Sequence, residues 1–556
     1  MPAELTDTLR AWLRRPLAQA GLLIAAIILV IHVGRLGNLY LSGEEFYILH
    51  DAHNQPFFLA WAYYFVNNGR PVEALYWTGL YKLVGFNPRL LHTFSLMLLG
   101  TLSLLATAWV GRVLPAKYRR HLAWLALLFF FNWISLEMVL KLSTDNSRLA
   151  LVCFFAAGLA WQSWAASQLT RTRYLLLGAG LLSVGVLAYE NIALLGPALL
   201  LMAWPLLDPA GPAETRRLLR IFIILGVLSL LIVLLPILVV EMLGWLRGAS
   251  VAHPATQGAL AAWLGEMIGA AFRVWLDWGQ VGALDPAPLR WLPLTLLLAA
   301  LLGSSWLLWR PRAERSPELA KLRILHVAAV WLLFMGPLPY ALAGYSNAVR
   351  IYSSAVFGLP ILLLVLFVAG RGGWPKAVSV LLALALVAAG IYQFNARNSG
   401  LREVEIIENN FYYGLKQIAP DVQPDTIFVI IDLQLSNSGC GPSMAVLYSA
   451  IGMRCVFLSS TNPEYHAERY ADYAISNRGG RIQGGQWLLI YVDEQGNPRL
   501  LDQMGPGDLD LIIEWLSTEP LYSNYDLLDT GRETPESAFY QSLVERRREL
   551  GLPVID

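Results

Sequence analysis

The chain has 556 residues, of which 56% are hydrophobic and only 15% are charged. Soluble proteins carry about a quarter charged residues, so this composition excludes a string of ordinary soluble domains, and it also excludes intrinsic disorder. The 41 basic and 40 acidic residues leave a net charge of +1, which gives no indication of nucleic-acid binding. We therefore expect a polytopic α-helical membrane protein with one soluble appendage.

Apolar segments of membrane-spanning length recur along the first 394 residues. A helix needs about 20 apolar residues to cross the hydrocarbon core of a bilayer. On this basis we predict eleven transmembrane helices, of which the fifth and sixth are short and meet at Tyr189-Glu190-Asn191. The predicted spans are 17–36, 90–110, 121–140, 147–167, 174–188, 191–207, 221–240, 291–309, 324–342, 351–369 and 377–394.

The charges in the loops predict the orientation of these spans. With the N-terminus inside, every inside loop carries Arg or Lys, as the positive-inside rule requires. Fusing the fifth and sixth spans would move Arg216, Arg217 and Arg220 outside, so the charge pattern favours a break at Glu190. The first span is long, and no small-residue cleavage site follows it, which indicates an anchor. We expect a multi-pass protein of the cytoplasmic (inner) membrane.

The chain from 395 to 556 is more polar and is expected outside, as a small α/β domain. Segments 426–431, 455–458 and 487–492 read as short buried strands, and 535–550 reads as a polar helix. Cys440 and Cys455 both fall on the oxidising side, where they either form a disulfide or remain two buried thiols.

Two long outer loops interrupt the transmembrane region. The first, 37–88, begins with Ser42-Gly43-Glu44-Glu45-Phe46-Tyr47 and then has two apolar helices, from Pro56 to Gly69 and from Pro71 to Gly85. Both are too short to span, so we predict that they lie along the membrane interface. In the second loop, 241–290, apolar residues recur at helical spacing from Leu260 to Trp278, which predicts an amphipathic helix.

Several ionisable residues lie near the predicted outer membrane plane. Because such residues cost free energy in or near lipid, they usually face a cavity or pair with one another. We expect a single pocket open to the outside, although each residue alone could simply be hydrated. A carboxylate there could accept a proton from a hydroxyl group, and an Arg could hold a phosphate. The residues are Glu44, Glu45, Lys141, Asp145, Arg148, Glu190 and Arg350.

His50 and His53 lie about one helical turn apart, with Asp51 between them. This spacing makes them weak candidates for a divalent metal site, and the alternative is that they are polar groups at the interface. The chain has no P-loop, no dinucleotide fingerprint, no nucleophile elbow and no HExxH motif, so the common soluble chemistries lack support.

The layout resembles the GT-C class of membrane glycosyltransferases, such as the protein mannosyltransferases and the aminoarabinose transferase. The resemblance covers residues 15–395 and rests on the acids after the first span, a Gly-x-x-Pro-like turn into the second, an acid between two short helices, and a late Arg before a Pro-containing span. These features are Glu44-Glu45 with Tyr47, the turn 85–89, Tyr189-Glu190-Asn191, and Arg350 with Tyr352 and Pro360.

The resemblance implies an inverting enzyme that uses a polyprenyl-phosphate-linked sugar as donor. The first acid of the class is usually Asp, whereas both acids here are Glu, so Glu44, Glu45 and Asp51 all remain candidates for the catalytic base. No cofactor is required by the sequence, although some members of the class use a divalent ion. The residues assigned to substrate binding are Tyr47, Arg70, Asp145, Glu190, Tyr345 and Arg350.

Two other functions remain open at this point. Intramembrane charge and broken helices also suit a transporter or lipid flippase, although the two halves of the chain show no internal repeat. The protein could also be a non-catalytic scaffold for cell-envelope assembly. The expected partners are membrane lipids, the polyprenyl-phosphate sugar and an acceptor that is a glycan, a lipid or a protein.

Overall fold

The structure is a computed structural model that describes the following parts of the chain. The described residues are 15–34, 52–53, 55–85, 87–132, 135–136, 142–208, 211–232, 234–235, 238–239, 242, 292–310, 316–338, 353–370, 372–422, 426–431, 447–448, 454–458, 487–492 and 495–504.

The chain divides into two compact units. The first comprises Met1–Gly37, Ala62–Tyr76 and Arg89–Asn398, and the second comprises Asn38–Trp61, Trp77–Pro88 and Ser399–Asp556. This division differs from the predicted boundary at 394/395 by assigning parts of the first outer loop to the second unit.

Thirteen α-helices occupy the described residues from 15 to 418, with short 3₁₀ segments between some of them. The helices are α1 Pro16–Gly34, α2 Phe57–Asn68, α3 Pro71–Val84, α4 Pro88–Val113, α5 Leu122–Phe130, α6 Asp145–Ala166, α7 Thr172–Ala188, α8 Gly196–Ala203, α9 Pro212–Leu231, α10 Leu292–Trp309, α11 Pro317–Met335, α12 Ala355–Ala369 and α13 Gly373–Ile418. The 3₁₀ segments are Ala116–His121, Leu142–Thr144, Glu190–Leu195 and Trp204–Leu206.

Three of the described helices are long and apolar enough to cross a membrane, judged by length and composition. They are Pro88–Val113, Asp145–Ala166 and the first part of α13, Gly373–Tyr392. Each of the eleven predicted segments contains helix, but most of these helices are shorter than a span requires within the described residues. The helical, membrane-type character of the chain is therefore supported, whereas the number of spans stays a prediction.

Helices α2 and α3 lie where the prolines and glycines of the first outer loop predict them. α2 begins directly after Pro56, and α3 has Pro71 as its first residue. Gly69 and Gly85 follow the last residues of the two helices with φ angles of +70° and +63°, a left-handed conformation that glycine adopts without steric cost. The sequence prediction of two short helices is confirmed.

The predicted break between the fifth and sixth spans is also present. α7 ends at Ala188, Tyr189 is extended with φ −162° and ψ 128°, and a 3₁₀ segment begins at Glu190. α7 packs closely on α6, and Gly178 of α7 lies against Trp161 of α6. A Cβ at Gly178 would lie only 2.2 Å from the Trp161 ring, so glycine permits this close approach. The packing places the end of α7, and therefore the break, beside α6.

Helices α4 and α6 run side by side in the same direction. Ser95, near the start of α4, donates to Asp145 at the start of α6 over 2.8 Å, and Arg112, near the end of α4, donates to Ser163 near the end of α6 over 2.7 Å. At 1.5 Å per residue, the two contacts are about 26 Å apart along the helices. That separation approaches the thickness of a bilayer's hydrocarbon core, about 30 Å.

A four-stranded sheet forms in the second unit, and its strands are β1 Ile427–Ile431, β2 Arg454–Leu458, β3 Trp487–Val492 and β4 Pro498–Met504. The order is β2-β1-β3-β4, in which β1 pairs parallel with β2 and β3, and β4 pairs antiparallel with β3. Phe411 and Leu415 of α13 pack against Phe428 and Ile490 of the sheet. The three predicted strands are present within one residue of their predicted bounds.

Three predictions for the rest of the chain lie outside the described residues. They are the amphipathic helix from Leu260 to Trp278, the polar helix at 535–550, and the partner Cys440 of a possible disulfide. Cys455 itself lies in β2.

Candidate functional site

Arg70 is held in a two-point ion pair by Glu190. Its Nε donates to Oε2 over 3.0 Å, and its Nη2 donates to Oε1 over 2.7 Å, so the guanidinium and the carboxylate meet fork to fork. The guanidinium carbon also lies 4.7 Å from the ring centre of Tyr189, a cation–π distance. The two side chains of the ion pair are 29% and 30% exposed, so solvent reaches this part of the cluster.

Glu73 is a second carboxylate beside the same guanidinium, and it is buried. Arg70 Nη1 lies 3.4 Å from Oε2, while Tyr64 and Asn146 both donate to Oε1 over 3.1 Å. Burial raises the pKa of Glu73, and the positive charge of Arg70 and the two hydrogen bonds oppose that rise. Of the two carboxyl groups around this guanidinium, Glu73 is therefore the one whose protonated form is favoured by burial.

Asp145 and Arg148 form a buried ion pair next to this group. The Asp145 carboxylate also accepts from Ser95 and from Tyr76, each over 2.8 Å, and Arg148 Nη2 donates to Thr144 over 3.1 Å. Burial and the negative charge of Asp145 raise the pKa of Tyr76 well above its usual value, so Tyr76 remains a hydrogen-bond donor.

The two groups form one polar cluster because they share two helices. α3 supplies Glu73 and Tyr76, which are three residues apart and therefore on the same face of the helix. α6 supplies Asn146 to the first group and Asp145 to the second. We call this set the carboxylate–arginine cluster. Its members are Tyr64, Arg70, Glu73, Tyr76, Ser95, Thr144, Asp145, Asn146, Arg148, Tyr189 and Glu190.

Ser353, two residues before α12, contacts the residue that follows Glu190. Asn191, directly after Glu190, donates through Nδ2 to Ser353 Oγ over 2.7 Å, and both side chains are buried. The Oδ1 atom of Asn191 is buried and has no hydrogen-bond partner among the described residues. The contact therefore joins the start of α12 to the residue that follows Glu190.

Of the residues assigned to the site from sequence, Arg70, Asp145 and Glu190 are described. Arg70 and Glu190 are in direct contact, and Asp145 lies in the same cluster. Asp145 is fully buried and its carboxylate is shared by three donors, which favours a positioning role over direct substrate contact. The remaining assigned residues lie outside the described part of the chain. They are Glu44, Glu45, Tyr47, Asp51, Tyr345 and Arg350.

Six members of the cluster were not predicted from the sequence: Tyr64, Glu73, Tyr76, Ser95, Thr144 and Asn146. One signal was available for Glu73, since it is the single acid in a short apolar helix and lies three residues after Arg70. The others are ordinary polar residues of helices, and nothing in the sequence distinguishes them.

The histidines considered for a metal site are only partly covered. His53 Nδ1 lies 2.5 Å from the hydroxyl of Tyr81, and their rings meet edge to face. His50 and Asp51 lie outside the described residues. Within the part of the chain that the structure describes, no three His, Cys, Asp or Glu side chains are grouped for a metal ion.

Comparisons with known proteins identify no family for this chain. No protein-family model matches the sequence. A search among curated proteins also finds no match. The functional conclusion therefore rests on the residues and their arrangement.

Proposed function

We propose that this protein is a multi-span membrane glycosyltransferase of the GT-C kind, which moves a sugar from a polyprenyl-phosphate donor to an acceptor outside the cytoplasmic membrane. The supporting observation is the carboxylate–arginine cluster, which gathers α3, α6 and the helix break at one end of a pair of span-length helices. A buried cluster of this polarity in an apolar helical body is costly to maintain without a function.

The proposed chemistry needs a general base and a cationic group that binds the donor phosphate. A carboxylate, Glu44 or Glu45, takes the proton of the acceptor hydroxyl while its oxygen attacks the anomeric carbon of the sugar. The bond from that carbon to the phosphate oxygen breaks, and polyprenyl phosphate leaves with the added negative charge. Arg350 stabilises this charge, and the partly exposed Arg70 binds the donor next to it. Attack opposite the leaving group inverts the anomeric centre.

The proposal includes eleven spans, with the N-terminus inside and the sheet-bearing second unit outside. Single cysteines test this orientation at two exposed positions, Ala320→Cys in α11 and Tyr413→Cys in α13, in a background without Cys153, Cys440 and Cys455. A membrane-impermeant maleimide added to intact cells should label the cysteine at 413 and leave that at 320 unlabelled until the membrane is opened. Labelling of both from the same side would contradict the orientation.

Release of polyprenyl phosphate is the test of the reaction itself. Purified protein in phospholipid vesicles is incubated with a panel of polyprenyl-phosphate sugars, and free lipid phosphate is measured with and without candidate acceptors. Acceptor-dependent release supports a transferase. Movement of the intact lipid-linked sugar across the vesicle membrane, with no release, would instead support a flippase.

Charge-removing variants locate the base within that assay. Glu44→Gln or Glu45→Gln should lower turnover about a hundredfold at the true base, because the amide cannot accept the proton, while donor binding persists. Near-normal turnover in both single variants and in the double variant would exclude these two acids and would make Asp51 the next candidate.

The role of Arg350 is tested by replacing it with lysine. An ammonium group cannot reproduce the two-point contact of a guanidinium with phosphate, so Arg350→Lys should weaken donor binding and slow transfer together. Arg173→Lys, at an exposed position at the start of α7, is the matched control and should leave both unchanged. Wild-type affinity and rate in Arg350→Lys would remove this residue from the site.

A further inference from the structure

A groove with three arginines lies at the opposite end of α4 from the carboxylate–arginine cluster. It has a volume of about 820 Å³, and Arg15, Arg112 and Arg119 line it together with an apolar floor. Arg15 directly precedes α1, Arg112 is in the last turn of α4, and Arg119 is in the 3₁₀ segment that follows. The floor consists mainly of Leu17, Ala18, Thr101, Leu104, Leu105 and Ala108.

The shape of the groove follows from how α1 and α4 pack. Gly21 of α1 lies against Leu104 of α4, and a Cβ at Gly100 would lie 3.0 Å from the side chain of Ile24. The two helices therefore run in opposite directions and approach most closely near Gly100. Toward the arginines, α1 and α4 leave space between them. The groove therefore has an apolar end between the two helices and a cationic end near the last turn of α4.

None of the described side chains that line the groove is acidic. Arg112 donates to the backbone oxygen of Leu159 over 2.9 Å and to Ser163 over 2.7 Å, which are neutral acceptors, and all three arginines are exposed. None of the ion pairs found among the described residues includes them. Three guanidinium groups beside an apolar channel are complementary to a molecule with an anionic head and a hydrocarbon tail.

We propose that this groove binds an anionic phospholipid of the surrounding membrane, with its phosphate between the arginines and an acyl chain along the floor. Thr101 and Arg112 are eleven residues apart on α4, so the groove runs about 16 Å along the helix, enough for a large part of an acyl chain. Basic pockets between membrane helices at the inner surface suit such headgroups. This site does not depend on the transferase reaction.

Native mass spectrometry of the full-length protein in phosphatidylcholine nanodiscs or detergent tests the proposal, with dioleoyl phosphatidylglycerol as the probe. The wild-type protein should bind one phosphatidylglycerol about tenfold or more tightly than phosphatidylcholine. Arg15→Gln/Arg119→Gln should remove most of that preference, since each basic residue near a membrane surface contributes measurably to anionic-lipid binding. Arg112 is left in place because it also holds α4 to α6.

A second variant tests the apolar half of the site. Leu105→Trp fills the floor and should weaken phosphatidylglycerol binding without changing the charge, whereas Leu177→Trp, on an exposed part of α7, should not.

The controls define the results that would overturn the proposal. Arg171→Gln/Arg173→Gln removes two exposed arginines that do not line the groove and should leave the preference intact. The proposal fails if this pair lowers binding as much as Arg15→Gln/Arg119→Gln, or if Arg15→Gln/Arg119→Gln binds like wild type. It also fails if inorganic phosphate competes as strongly as the whole lipid, because the site would then recognise a free anion.

Discussion

The two ends of the α4–α6 pair use arginine in opposite ways. At one end, Arg70 and Arg148 face carboxylates. At the other, Arg15, Arg112 and Arg119 line a groove in which no described side chain is acidic. A buried guanidinium needs a counter-charge inside the protein, whereas an exposed one can find its counter-charge in solvent or lipid. Burial, and not residue type, therefore decides which arginines hold the fold together.

Asp145 offers the strongest test of this difference. Asp145→Ala leaves the buried Arg148 without its carboxylate, and breaking a buried ion pair costs about 3–5 kcal/mol of folding free energy. Thermal or denaturant unfolding in detergent should show this loss. Arg119→Gln, at the exposed end, is the control and should change the free energy of unfolding by less than about 0.5 kcal/mol. Equal losses at both positions would show that burial does not separate these two kinds of arginine.

Tyr76→Phe removes a single hydroxyl group beside the same buried ion pair. The hydroxyl donates to the Asp145 carboxylate over 2.8 Å, and a hydrogen bond to a charged group contributes about 1.5–3 kcal/mol. We expect unfolding measurements to show a loss near the lower end of that range. Tyr413→Phe, at an exposed tyrosine of α13, should show none. If Tyr76→Phe leaves the free energy of unfolding unchanged, Ser95 and Arg148 alone satisfy the hydrogen bonds of the Asp145 carboxylate.

Arg70→Lys tests the partly exposed part of the cluster. Lysine keeps the charge but loses the two-point contact with Glu190 and the stacking on Tyr189. Because both partners are about 30% exposed, solvent screens the pair, and we expect a loss of only about 1 kcal/mol in unfolding measurements. A loss as large as that of Asp145→Ala would show that the pair behaves as a buried one.

Glu73 gives the smallest expected effect, which is a change in pH dependence. Its pKa in the folded protein lies above the ordinary value of 4.5, so the folded state holds a proton that the unfolded state releases. The contribution of Glu73 to the free energy of unfolding is fully present below pH 4.5, and it is lost as the pH rises through the pKa of Glu73 in the folded protein. Melting temperatures from pH 4.5 upward should therefore decline less in Glu73→Gln than in wild type, while the exposed Glu214→Gln follows wild type. An unchanged slope in Glu73→Gln would contradict the assignment.

Local features of this protein were predictable, and long-range ones were not. The helices that end at Gly69 and Gly85 and the break at Glu190 follow from glycine, proline and charge, which act over a few neighbouring residues. Arg70, Asp145 and Glu190 could be selected because charge is rare in so apolar a chain. That Glu73 meets Asn146, or Tyr76 meets Asp145, depends on which helix faces pack together, and helical periodicity in one sequence leaves that choice open.

The extended residue Tyr189 has a consequence for engineering. In a continuous helix, neighbouring side chains point about 100° apart, so two consecutive residues rarely serve the same partner. The interruption lets Tyr189 and Glu190 both reach Arg70, one through its ring and one through its carboxylate. A designer who joined α7 to the following segment as one continuous helix would add helical hydrogen bonds but would lose the contacts of both Tyr189 and Glu190 with the guanidinium. Local irregularity at this point is a requirement for the geometry of the cluster, and stabilisation programmes should leave it untouched.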